Sequence, residues 1–248
     1  MPLSVCRKFR RTAIQDSMFL SENKQSSLVL SKAMKDIKCV ILDFDGTLGD
    51  TASVIIQTMQ ATIEEMGLPQ RTDAECAAMI GLRLIEIPQV LFPECGDIGE
   101  AYAATYRRLF YTFNTDEAVT LYPNVMSTLE ELKGRGLTLA IASSRSHASL
   151  AEYVERLGLE SLISCILGAD DVAEGKPNPE AVNRILALYG FKPHEAIVVG
   201  DTSYDILMGR NAGTLTCGVT YGNGSRESLA DAEWVIDDFG ELLKILRQ

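Results

Sequence analysis

Four short polar segments hold the side chains best suited to chemistry: Asp43-Phe44-Asp45-Gly46-Thr47, Ser143-Ser144-Arg145, Lys176, and Gly200-Asp201-Thr202-Ser203-Tyr204-Asp205. Together they bring four carboxylates, a lysine, an arginine and several hydroxyls, with no histidine and no cysteine. Carboxylates in such company can ligate a hard divalent cation, attack as nucleophiles, or carry protons as general acids and bases. The rest of the chain offers little else. There are only two histidines, His147 and His194, too few for a His-rich metal site and poor material for a Ser-His-Asp triad. The six cysteines (Cys6, Cys39, Cys76, Cys95, Cys165 and Cys217) are scattered without a CxxC pair, which indicates neither a zinc site nor a redox dithiol.

The formal net charge of −11 argues against nucleic acid or an anionic membrane as a partner, since both demand a basic surface. An anionic substrate would have to meet a local remedy for that field: a metal ion, a lysine or backbone N–H groups. With 46% apolar and 23% charged residues the composition is that of a globular protein. No apolar run approaches the roughly 18 residues of a membrane helix, and no signal-peptide core is evident, so the expected location is cytoplasmic. Residues 1–38 differ, carrying eight Lys/Arg against three Asp/Glu. Residues 1–37 therefore read as a disordered leader, either an extension ahead of Met34 or a transit peptide.

The elements that must position the four segments can be read from periodicity. Short apolar, β-branched runs at Cys39–Leu42, Leu137–Ala142, Cys165–Leu167, Ala196–Val199, Leu215–Val219 and Trp234–Ile236 read as buried strands. Between them lie helical patterns: Val125, Leu129 and Leu132 before Gly134, then Leu150, Tyr153, Val154 and Leu157 before Gly158. A third starts at Asn178 as cap with Pro179 in its first turn and stops at Gly190. Strands alternating with helices predict an α/β fold, a doubly wound, Rossmann-like parallel sheet. Residues 51–118 break the rhythm with helical patterns (Ile55, Met59, Ile63, Met66) and no strand. They read as a small all-helical domain inserted in a core of residues 38–50 and 119–248. In such a sheet the ligand crevice lies beyond the carboxyl ends of the strands, where the four segments would meet.

These segments, in this order, resemble the motifs of the haloacid dehalogenase superfamily, and within it the phosphatases similar to phosphoglycolate phosphatase and β-phosphoglucomutase. The resemblance covers about residues 38–248, with the helical insertion as its cap. DxDGT paired with a distant GDxxxD is far more specific than a lone glycine motif.

The resemblance implies a Mg²⁺-dependent phosphohydrolase acting on a small phosphorylated metabolite, as a monomer or homodimer. Asp43 would be the nucleophile, forming an aspartyl-phosphate, and Asp45 the general acid and base. Mg²⁺ would be held by Asp43, Asp201 and the backbone carbonyl of Asp45, with Asp205 supporting that shell and the side chain of Asp45 left unengaged. Ser143 and the N–H groups around Phe44 and Ser144 would bind phosphate, and Lys176 would neutralise its charge. Gly46 and Thr47 would shape the loop. Arg145, where relatives often have lysine, would contact substrate, and Arg83 in the insertion would either meet an anionic group of it or be an ordinary solvated arginine. His147 would lie near Arg145 or simply be exposed.

Taken singly, these residues have ordinary explanations. Asp and Gly favour turns, and Lys176 or Ser143 alone would be unremarkable on a surface. Their joint occurrence after separate strands is what carries the reading. Two rivals share it: a phosphomutase using the same Asp43 and Asp45, and a non-catalytic binding protein on the same fold.

Overall fold

The structure, a computed structural model, describes residues 36–115 and 117–246. The expected leader thus lies outside the described residues except for Asp36 and Ile37, and Ile37 is buried in the core. The elements in chain order are β1 (Cys39–Leu42), β2 (Gly49–Asp50), α1 (Ala52–Glu65), α2 (Asp73–Ala77), α3 (Ile87–Leu91), α4 (Gly99–Phe113), β3 (Thr120–Leu121), α5 (Val125–Gly134) and β4 (Thr138–Ala142). They continue with α6 (His147–Arg156), β5 (Cys165–Leu167), α7 (Glu180–Tyr189), β6 (Ala196–Gly200), α8 (Ser203–Ala212), β7 (Leu215–Val219), β8 (Trp234–Ile236) and α9 (Leu242–Ile245).

Six strands form one parallel sheet in the order β5-β4-β1-β6-β7-β8. All four residues of β1 are buried, because a parallel sheet reached by helical crossovers is covered on both faces. Cys39 and Ile41 point to one side, where they pack with Val182 and Ile185 of α7 and Met208 of α8. Val40 and Leu42 point to the other and join Leu129 of α5 and Leu150 of α6. This period-2 split of one apolar run makes the sheet doubly wound, as expected. Chain order reverses around β1, so the crevice opens where β4, β1 and β6 end.

Between β2 and β3 every regular element is helical. Met59 and Ile63 of α1 and Tyr102 and Tyr106 of α4 share one apolar cluster with Phe44 and Leu48 of the β1 loop. A capping box between Thr72 and Glu75 starts α2. Where the segment leaves and rejoins the sheet, β2 and β3 pair antiparallel, Gly49 opposite Leu121 and Asp50 opposite Thr120. That ribbon was not foreseen, since two-residue strands carry no periodicity. Helix α7 begins at Glu180 with Pro179 as its cap, one residue later than expected. Asn178 still serves it, its Oδ1 accepting the Glu180 N–H at 2.9 Å.

Candidate active site

The loop after β1 turns back on itself because Phe44 O accepts from Leu48 N at 3.0 Å and Gly49 N at 2.9 Å, while Gly46 N donates to Gly49 O at 2.9 Å. Gly46 sits at φ 82°, open to glycine at little cost, and a β-carbon there would collide with the Asp201 carboxylate and Asn223. Thr47, wholly buried, donates to Asp201 Oδ1 at 3.4 Å. The loop is therefore moulded against the end of β6.

Asp43 and Asp201 follow the neighbouring strands β1 and β6 and reach the same point. One carboxylate oxygen from each, and one from Asp205 in the first turn of α8, all lie within 4.8 Å of one another, and all three residues are buried. Asp205 is held by its own helix start, where Oδ2 accepts from Thr202 N at 3.1 Å and Thr202 Oγ1 at 2.7 Å. Its Oδ1 accepts from Lys176 Nζ at 2.6 Å, and the same ammonium donates to Asp43 Oδ1 at 2.5 Å.

Three buried carboxylates thus face one lysine. Burial pushes the Asp43 carboxyl well above its ordinary value; Lys176 opposes that, and Asp205 adds to it. Burial and the neighbouring Asp205 push Asp201 up to about 7 against hydrogen bonds from Asn223. Burial alone would lower the Lys176 ammonium, but Asp205 and Asp43 outweigh it and hold it above the usual lysine range. Excess negative charge away from water is costly unless a cation compensates it. The donor set, oxygen throughout, fits a hard divalent ion.

The side chain of Asp45, expected to be left free by the metal for acid–base work, is held by two hydrogen bonds. Its Oδ1 accepts from Thr51 Oγ1 at 2.6 Å and from Arg145 Nε at 2.8 Å. Arg145 is enclosed by rings, its guanidinium carbon 4.6 Å from the Tyr153 centroid and 5.2 Å from that of Phe110. It also reaches Ser149 Oγ at 3.0 Å. Burial would lower its basicity, but Asp45 more than compensates and raises it.

Ser143, at the end of β4, is buried beside this group, with its Oγ accepting from Arg145 N at 3.3 Å. Ser144 points the other way and donates to Gly81 O at 2.6 Å. Arg83, two residues beyond Gly81, donates to Ala173 O at 3.0 Å and Ala169 O at 3.2 Å. His147 is exposed and paired with Asp171 at 2.7 Å.

Two participants were missed in the sequence. Thr51 caps the loop onto Asp45. Asn223 donates to Asp201 Oδ2 through its backbone N–H at 2.7 Å and its side chain at 3.0 Å. The Gly222-Asn223-Gly224 turn follows β7 at the same sheet edge, so the rule that located the other segments could have found it.

The sequence model of the haloacid dehalogenase-like hydrolases matches residues 40–219. The chain is 31% identical over 221 residues to the phosphoglycolate phosphatase of Vibrio parahaemolyticus, covering 86% of this chain and 97% of that one. It is 32% identical over 213 residues to the pyrophosphatase PpaX of Anoxybacillus flavithermus, covering 85% and 97%. The crystal structure of a haloacid dehalogenase-like hydrolase from Bacteroides fragilis superposes with a TM-score of 0.78 at 24% identity, over 83% of this chain and 99% of that one, a likeness of fold. No helix among the described residues is long and apolar enough to cross a membrane. A chain with this parallel sheet, these loops at its carboxyl edge and these relatives belongs to the haloacid dehalogenase-like hydrolases, as an enzyme of their phosphohydrolase type.

Proposed function

We propose that this protein is a Mg²⁺-dependent phosphatase that hydrolyses a small phosphomonoester through an aspartyl-phosphate on Asp43. The observation that carries the reading is the convergence of Asp43, Asp201 and Asp205 within 4.8 Å, with Lys176 2.5 Å from Asp43. Relatives that act on phosphoglycolate and on pyrophosphate support phosphoryl transfer to water as the reaction class.

Asp43, Asp201 and Asp205, with the backbone carbonyl of Asp45, would hold the cation, which when bound spreads charge off the phosphate oxygens. Asp43 supplies the nucleophilic oxygen: its bond to phosphorus forms as the bond to the leaving oxygen breaks. Lys176 keeps Asp43 oriented and offsets charge on the phosphoryl group. Ser143 and the nearby N–H groups of Phe44 and Ser144 bind phosphate oxygens. Asp45 delivers a proton to the leaving oxygen and then takes one from the water that cleaves the acyl phosphate. Helices α1–α4 act as a cap over this edge, and Arg83 and Ser144 clamp it down.

Phosphate release from p-nitrophenyl phosphate, with and without Mg²⁺, tests this. Turnover should require Mg²⁺ and vanish in Asp43→Asn. Turnover that survives Asp43→Asn would rule out the covalent route, and failure across a broad phosphate panel would favour a non-catalytic role.

A further inference from the structure

A cavity of about 420 Å³ opens beside Asp45, the residue assigned to the leaving oxygen. Asp45 is part of its wall, so a leaving group that Asp45 protonates would face this space. The wall is largely apolar, with Ile55 and Met59 from α1, Ile80 and Leu84 from the α2–α3 loop, and Phe110 from α4.

Its cations are mostly committed elsewhere. Arg83 is spent on the carbonyls of Ala169 and Ala173, and Arg145 on Asp45; Arg107 is exposed. Of its hydroxyls, Ser144 donates to Gly81 O, Ser149 accepts from Arg145 and Tyr106 pairs with Thr58, so that Ser146 and the exposed Tyr111 add the remaining polar groups. Asp170, exposed like Arg107, sets one negative charge against that arginine's positive one, its Oδ1 accepting from the His147 backbone N–H. A pocket for a carboxylate or a second phosphate needs a desolvated cation free to pair with it. A pocket for a sugar needs inward polar groups to meet its hydroxyls.

We propose that the leaving group is an uncharged, largely apolar alcohol, aryl or branched alkyl, seated against Met59, Leu84 and Phe110. The volume falls within the roughly 300–1,000 Å³ typical of small-molecule sites. The proposal rests on the phosphatase reading and narrows it: this chain prefers substrates unlike phosphoglycolate or pyrophosphate.

The test compares 1-naphthyl phosphate with phosphoglycolate, pyrophosphate and β-glucose 1-phosphate, both as substrates of the Mg²⁺-loaded enzyme and as ligands of Asp43→Asn protein by calorimetry. The naphthyl ester should lead by at least about tenfold in kcat/KM and in affinity, the discrimination that one methylene in an apolar pocket already achieves. Leu84→Lys, which places a charge in the wall, should narrow that ratio by a similar factor, chiefly through KM. Met79 also lines the cavity, and Met79→Trp, which fills it, should do the same should Leu84→Lys not fold. Equal or tighter binding of the charged compounds overturns the proposal. Preferential naphthyl binding without phosphate release by the wild type would sink the phosphatase reading and leave the cavity's apolar preference standing.

Discussion

Arg145 Nε lies 2.8 Å from Asp45 Oδ1, and the two side chains retain only 9% and 11% of their exposure. They are 100 residues apart in sequence. The pair joins the loop between β4 and α6 to the β1 loop and places an arginine on the carboxylate proposed to move protons.

Removing one partner of a buried ion pair leaves the other charged and desolvated. Arg145→Met should therefore destabilise the protein by about 3–5 kcal/mol, read from the denaturant midpoint. Adding Asp45→Asn should recover part of that loss. Additive effects in this double-mutant cycle would mean that the pair contributes nothing by its pairing.

Lys176 is the cation that touches both Asp43 and Asp205. Lys176→Met should lower the melting temperature of metal-free protein by about 3–5 kcal/mol worth of stability, roughly 10 °C for a chain of this length. Millimolar Mg²⁺ should restore more of the melting temperature in the variant than it adds to the wild type, because it meets a larger excess of negative charge. A variant whose melting temperature ignores Mg²⁺ would contradict the cation site.

Asn223 fixes Asp201 by two hydrogen bonds to one oxygen. Groups that orient a metal ligand typically contribute about 10–100-fold to metal affinity. Asn223→Ala retains the backbone bond, so it should weaken Mg²⁺ about tenfold, seen as a raised Mg²⁺ concentration for half-maximal activity, with little change in turnover at saturating Mg²⁺. A loss of turnover that no Mg²⁺ concentration repairs would show that Asn223 acts on something other than Asp201.

The fold was readable because its strands are short, apolar and β-branched, and because residues such as Gly190 announce a helix end. The side chains placed at one edge were readable for a related reason. Asp43, Ser143 and Asp201 each directly follow a buried strand, and parallel topology brings strand ends together. What escaped reading was pairing between loops. Asn223 and Thr51 reach Asp201 and Asp45 from loops that no local periodicity marks.

The sequence by itself therefore determined the parallel sheet and which polar residues follow its strands, since local periodicity and chain order decide those. Only the tertiary structure decided that Arg145 turns to Asp45, that Arg83 is spent on backbone carbonyls, and that an apolar cavity adjoins the site. An arginine can reach many partners from one backbone position. Which one it takes depends on the charges and carbonyls that folding leaves desolvated around it, and no run of neighbouring residues encodes that.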